Sequence, residues 1–393
     1  MEFITGISSF LLSFAAEISK DWQAAIPQLN VIAKLVQWLH SWVGDYGWAV
    51  IIFTVFLKVI TLPADIWQKV STKKNAEKMK AMQKQLDKLD KQYANDQRRL
   101  NDEKQKLYKK QGYSAFSSCL PMIITIAIFM IMFTGLNSYS AYINVRNYAW
   151  LEAVYLEAAE DSLGGKTQSE ATEEEKAAAI EAGKEAVKLF YNGELSVYDQ
   201  EGNPVKVKES FLWIKNIWRP DTWENIMADA GKFQSGGTGL KAVTNDNFDP
   251  QLYNTIRNAV LEADPGYFAK YNDDGSLALN SDGTPQRSGW NGLLVLPIVA
   301  MGLAFLSSLI AQKQNKGVSA SDPSQQSQKT MMFIMPIMSG VFGFIYTSAF
   351  AVYLVSNSLL TLVATLLTNA PINKAVEKSV SQEEDKSKAS YMR

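Results

Sequence analysis

The chain has 393 residues, 39 Lys/Arg against 40 Asp/Glu, a net charge of −1 and 47% apolar residues, with a mean hydropathy of −0.11. One cysteine, Cys119, excludes an intrachain disulfide, and one histidine, His40, cannot by itself make a zinc cluster or a triad. So even a balance offers no ground for a nucleic-acid partner, and suits a membrane protein with large polar segments.

The whole-chain charge hides a segregation. From Gln68 to Tyr113 there are 14 Lys/Arg against 6 Asp/Glu, and from Tyr139 to Gly289 14 against 24. The positive-inside rule places the first segment in the cytoplasm and the second outside.

In chain order, residues 1–20 hold a short apolar stretch, Phe3 to Ala16, which lacks a positive n-region and is short for a span. A signal-like segment, an interfacial helix and a weak extra span all stay open. Within 21–45, Val31, Leu35, Trp38 and Trp42 share one helical face, which suits a helix in the outer membrane surface or one packed on the span ends. Residues 46–64 form the first span. Residues 65–114 form a basic cytoplasmic hairpin, in which Met79, Met82, Leu86, Leu89 and Tyr93 alternate steps of three and four, a short coiled-coil seam.

The second span covers 115–138, inside a charge-free run between Lys110 and Arg146. The acidic extracytoplasmic segment, 139–289, contains a helical stretch from Thr172 to Tyr191, opened by a capping box of Thr172 and Glu175. Asp273-Asp274-Gly275 and Asp282-Gly283 read as turns. The third span is 290–312, followed by a cytoplasmic loop, 313–329. From Thr330 to Asn373 there are 44 residues without a charge. One helix of that length would measure about 66 Å, against a hydrocarbon core of about 30 Å. It must fold as two spans, 330–346 and 349–370, turning at Tyr346-Thr347-Ser348-Ala349. The tail, 371–393, is then cytoplasmic. The expected fold is an all-α, five-span membrane protein with a cytoplasmic hairpin and an inserted extracytoplasmic segment.

Enzymatic motifs are missing. There is no HExxH, no zinc-type spacing and no GxGxxG; Gly164-Gly165-Lys166-Thr167 ends like a phosphate loop, but Glu160 stands where its leading glycine belongs. No cofactor and no ATPase or hydrolase activity are expected.

The candidate site is Lys58, the only ionisable residue in WAVIIFTVFLKVITLP. A Lys at the centre of a span costs about 2.5–3.5 kcal/mol. Near the inner end of the run, its stem could simply snorkel to the headgroups. Thr54, Thr61 and Asp65, however, fall on its helical face, while Val55, Phe56, Val59 and Ile60 lie in part opposite. Other spans carry Thr125, Ser307, Ser308, Ser356, Asn357, Ser358 and Thr361 at inner depths. A lone Ser or Thr bonds its own helix or aids close packing; the set could line a polar hollow.

At these residues the chain resembles the YidC membrane-protein insertase family. The resemblance rests on YGWAVIIFTVFLKVITLP at 46–63, KLYKKQGYSAFSSCLPMIITIAIF at 106–129, FLWIKNIWRPD at 211–221, LPIV at 296–299, MMFIMPIM at 331–338 and VYLVSNSLL at 352–360. It implies an insertase and membrane chaperone of the bacterial plasma membrane, with a hydrophilic inner-leaflet groove and a positive residue of the first span facing it. Carried over, Lys58 takes the cation's place, Thr125 that of a common Gln, and Ser356 and Asn357 a polar pair. Thr54 and Thr61 join the groove by their spacing.

The partners so implied are nascent membrane proteins, received at the hairpin, then membrane lipid, and a Sec-type translocon beside it. The short, charge-balanced tail lends little support to a ribosome or targeting factor. The chain departs from the family with Lys for Arg, which loses a fork of donors, with Thr125 and Ala127 in the second span, and with a longer outer segment. Two other classes remain open: a small-solute or ion transporter coupled through Lys58, and an assembly factor working through the outer segment.

Overall fold

The computed structural model describes residues 18–110, 113, 115–235, 248–272, 274–279, 285–287, 289–314 and 323–391. Helix accounts for 71% of it; among the described residues, β pairing is confined to isolated bridges. The helices are α1 (Lys20–Ala25), α2 (Val31–Val43), α3 (Tyr46–Gln92), α4 (Gln97–Lys110), α5 (Ala115–Ser162), α6 (Glu173–Asn192), α7 (Ala230–Ser235), α8 (Pro250–Ala263), α9 (Val295–Gln314), α10 (Pro323–Ile345) and α11 (Ser348–Tyr391). The apolar stretch at 3–16 and the Asp282-Gly283 turn lie outside the described residues.

Three helices are long and apolar enough to cross a membrane: Tyr46–Gln92, Ile126–Ser162 and Ser348–Val380 among the described residues. Val295–Ile310 and Pro336–Ile345 are shorter apolar helices. The chain is thus an all-α membrane protein. Several helices overrun the apolar runs that define them. α3 passes through Pro63 into the basic segment and α5 runs on to Ser162. Similarly, α10 begins at Pro323, inside the stretch expected to be loop. α10 ends at Ile345 and α11 starts at Ser348, so the chain turns within the polar stretch.

The residues divide into two compact units. The first comprises Met1–Val50, Phe133–Pro297 and Phe342–Val352. Its core is aromatic: Trp22, Tyr148, Phe233, Phe248 and Tyr253 are all buried, and Tyr148 lies 4.8 Å centroid to centroid from Tyr253. α6 and α8 pack on this core through Val187, Phe190, Ile256 and Val260. The capping box that opens α6 is present, with Thr172 accepting from the Glu175 N–H and the Glu175 carboxylate accepting from the Thr172 N–H.

The segment 209–221 stitches this unit together. Phe211 lies so close to Gly47 that a Cβ there would enter its ring. The Ala349 N–H donates to the Ile217 carbonyl at 3.0 Å, and the Ser348 hydroxyl donates to the Arg219 carbonyl at 2.6 Å. Asp221, wholly buried, caps the start of α9. Its carboxylate accepts from the N–H groups of Leu293 (2.8 Å), Leu294 (3.1 Å) and Leu296 (2.7 Å), and from the Trp213 indole (3.2 Å). These are donors a helix start leaves without partners, and the anion also suits the positive end of the helix dipole. Leu294 has φ of 64°, a strained conformation for a branched residue, held where the three N–H groups converge.

A cluster of half-buried His40 with buried Tyr46, Tyr139 and Trp218 completes the unit, with Tyr46 stacked on Trp218 at 4.1 Å. His40 Nδ1 bonds the Tyr139 hydroxyl at 2.8 Å, and Nε2 lies 3.5 Å from Glu209. Burial pushes the Glu209 carboxyl up to about 7 and the imidazole down to about 4. Near neutral pH the imidazole is therefore uncharged, and the contact is not a full ion pair.

The second unit comprises Ile51–Met132, Ile298–Val341 and Tyr353–Arg393. Part of its surface is apolar: Phe56, Val59, Ile60, Leu366 and Leu367 are all exposed, as expected where lipid is the solvent. Within it α9 and α10 approach closely, with Gly340 against Met301 and Phe305 against Phe333.

Candidate functional site

Lys58 sits in α3 of the second unit, five residues before Pro63. Proline has no N–H and leaves the carbonyl four residues earlier without its helical donor, yet α3 continues, so Asp65 and Lys69 stay on helical register with Lys58. Helical side chains lean toward the N-terminus, which brings the Asp65 carboxylate back toward Lys58. Lys58 Nζ donates to Asp65 Oδ2 at 2.7 Å and to Thr361 Oγ1 of α11 at 2.8 Å. The Lys58 side chain is 13% exposed and that of Asp65 29%.

One turn beyond Asp65, Lys69 Nζ donates to Thr365 Oγ1 at 2.9 Å and to Thr368 Oγ1 at 3.2 Å. Each of these two hydroxyls gives its proton to its own helix: Thr365 to the Thr361 carbonyl and Thr368 to the Ala364 carbonyl, both at 2.6 Å. Back-bonding of this kind turns a threonine outward as an acceptor. α11 thus presents Thr361, Thr365 and Thr368 as a ladder of acceptors, and α3 presents Lys58 and Lys69 as donors. Two cations against one carboxylate leave a surplus positive charge.

The other predicted residues fall around this core. Thr54 is buried. Thr61 spends its hydroxyl on the Lys58 carbonyl at 3.4 Å, so it braces the helix. Ser356 and Asn357 are half-buried on α11, with Asn357 one turn before Thr361. Thr125 lies in α5, but its side chain is outside the described residues. Sequence reasoning placed Asp65 and Thr361 near the stripe without assigning them to the site, and missed Lys69, Thr365 and Thr368. A signal was available: Asn357, Thr361, Thr365 and Thr368 follow steps of four, four and three, one helix face.

In the hairpin, Met79, Met82 and Leu86 are buried together with Tyr113, with Leu107 and Tyr108 packed against them; Leu89 and Tyr93 are half-buried. Lys104 of α4 pairs with Asp90 of α3 at 2.7 Å. No group of His, Cys, Asp or Glu that could hold a metal occurs among the described residues.

With that geometry in place, sequence comparison supplies the lineage. The model of the family described as 60Kd inner membrane protein matches residues 38–172 and 202–375, most of the chain. The chain belongs to this family. Lys58, Lys69 and the threonine ladder lie inside the matched residues, whereas α6 lies in the gap between them.

Members similar to this chain include proteins named Membrane protein insertase YidC. One, from Caldanaerobacter subterraneus subsp. tengcongensis, is 35% identical over 123 residues, 31% of this chain and 57% of that relative. Another, from Cupriavidus necator, is 30% identical over 127 residues, 31% of this chain and 22% of the relative. A third, from Thioalkalivibrio sulfidiphilus, is 31% identical over 111 residues, 27% of this chain and 19% of the relative. The matched region spans little more than half of the first relative and about a fifth of the other two. Family membership and the apolar helices make this a multi-pass protein of the inner membrane.

Proposed function

We propose that this chain is a membrane protein insertase. It receives the polar, outward-going segment of a nascent membrane protein at the Lys58 site and releases the substrate's apolar span into lipid. The observation that carries this reading is the site itself. Two partly buried lysines of α3 meet a threonine ladder of α11, on helices that expose apolar side chains such as Val59, Ile60, Leu366 and Leu367 nearby. A polar site among lipid-facing helices lowers the cost of bringing a hydrophilic segment into hydrocarbon, where each unsatisfied polar group costs several kcal/mol. No covalent chemistry is needed, and binding and solvation suffice.

In this reading the hairpin and the tail are cytoplasmic and 139–289 is outside, following the charge asymmetry. The seam of Met79, Met82, Leu86, Leu89 and Tyr93 shapes the hairpin that meets substrates. The groove residues are Lys58, Thr54, Thr61, Thr125, Ser356 and Asn357, with Lys69, Thr361, Thr365 and Thr368 added here. Nascent membrane proteins are the substrates, lipid receives them, and a Sec-type translocon is the partner for larger ones.

The test is insertion by the purified chain in proteoliposomes, using a small single-span substrate with a short acidic outer tail. Lys58→Ala should abolish insertion while the variant still accumulates normally. Insertion at the unaltered rate would remove the Lys58 site from the mechanism. Solute flux without insertion would replace the insertase with a transporter.

A further inference from the structure

Lys58 is not a bare cation. Its ammonium is occupied by a carboxylate of its own helix, Asp65, at 2.7 Å, and by the Thr361 hydroxyl at 2.8 Å. The pair spans seven residues, about two helical turns, and joins because Asp65 leans back toward the N-terminus while the long Lys58 stem reaches the other way along the same face. Asp65 is the more exposed partner, at 29% against 13%. Lys69, one turn further on, is held by the hydroxyls of Thr365 and Thr368, with no ion pair to a carboxylate among the described residues. It stands beside Asp65 on the same face, at the spacing where opposite charges attract.

We propose that Asp65 is an internal competitor for the acidic residue of an incoming segment, and that it sets how strongly this site prefers acidic over neutral tails. The inference rests on the insertase reading above. The Asp65 carboxylate holds Lys58 in the resting chain. A segment bearing a carboxylate exchanges with it at the ammonium, and the released Asp65 turns to Lys69. No charge is stranded during the exchange, since each ammonium keeps a partner throughout. A neutral polar segment bonds the threonine ladder and leaves the pair intact. Asp65 therefore taxes only those segments that use Lys58, since a ligand's apparent affinity falls with the fraction of sites already occupied. The result is an insertase with a broad tail range and a muted preference for negative charge.

The experiment compares two substrates that differ only in the tail, acidic or neutral, inserted by the full chain in proteoliposomes. In the unaltered chain their initial rates should lie within about twofold of each other, since the pair and its competitor nearly balance. Asp65→Asn should raise the acidic-tail rate roughly five- to tenfold and leave the neutral-tail rate unchanged. Asp65→Glu, which keeps the carboxylate, should restore the original ratio. If Asp65→Asn fails to accumulate, Asp65→Ser must move the ratio the same way.

An acidic-to-neutral ratio that is unchanged or lower in Asp65→Asn would overturn the proposal. So would a tenfold preference for acidic tails in the unaltered chain. The insertase reading fails differently: the unaltered chain would then insert neither substrate above liposomes lacking it, which removes both.

Discussion

Asp221 and Asp65 are both carboxylates close to the end of a helix-borne apolar stretch, and they are used in opposite ways. Asp221 is wholly buried and accepts from three backbone N–H groups and an indole. Its partners belong to the chain's own backbone and cannot be replaced by a visitor. Asp65 is nearly a third exposed and bonds one flexible ammonium, which any other carboxylate could take. The cations differ likewise. Arg219 is 3% exposed and tied to Glu224 at 2.7 Å, whereas Lys58 and Lys69 end on hydroxyls and one exchangeable acid. These polar groups of the first unit hold structure, whereas under the proposed mechanism those around Lys58 exchange partners with a substrate.

The largest effect that could break this contrast is on stability. Asp221→Ala leaves buried N–H donors unpaired and removes the α9 cap, so it should cost about 3 kcal/mol or more. Thermal unfolding in detergent, followed by tryptophan fluorescence, should show a clear fall in midpoint. In the same assay Asp65→Asn should cost less than about 1 kcal/mol, as partly exposed pairs do. Equal losses would mean that both carboxylates are structural.

A subtler separation uses pH. Glu209 titrates near 7 instead of 4.5 because burial disfavours its anion, and His40 near 4 instead of 6.5 because burial disfavours its cation. For Glu209 the folded state binds more protons than the unfolded between 4.5 and 7, so its contribution to stability falls as pH rises through that window. For His40 the unfolded state binds more between 4 and 6.5, so its contribution rises with pH there. The two slopes oppose each other wherever they overlap. Arg146, Asp45 and Lys206, which also act on this pair, remain in a Glu209→Gln variant. That variant should gain stability from pH 4 to 6.5 more steeply than the unaltered chain, and should lose the decline from 6.5 to 7. An unchanged pH profile of the melting midpoint would show that the buried pair does not govern it.

What the sequence made legible follows the range of the interactions. The helical class, the capping box at Thr172 and Glu175 and the Lys58 face are local patterns, readable at helical spacing. The Asp221 cap joins residues more than 70 positions apart, and no periodicity announces it. The site was half legible for a different reason. Lys58 is conspicuous because a charge in an apolar run is expensive. Thr365 and Thr368 are not, because a threonine in a span usually bonds its own helix. Both in fact do so, and accept from Lys69 as well. The two readings that compete in sequence are compatible in space.

That double role sets the smallest prediction. Thr365→Val keeps the shape of the side chain and removes the acceptor nearer to Lys69. Thr368 still holds the ammonium at 3.2 Å, and the lost back-bond spared a carbonyl that already serves the helix. The melting midpoint should therefore stay put, and insertion of an acidic-tail substrate should change by less than about fivefold, the scale of one partly exposed bond. Thr368→Val added to it should lower insertion by more than the two single changes combined, because only the pair leaves Lys69 without an acceptor on α11. If instead Thr365→Val lowers the midpoint as far as Asp221→Ala does, the ladder is a brace between helices, and the second unit uses its polar groups as the first one does.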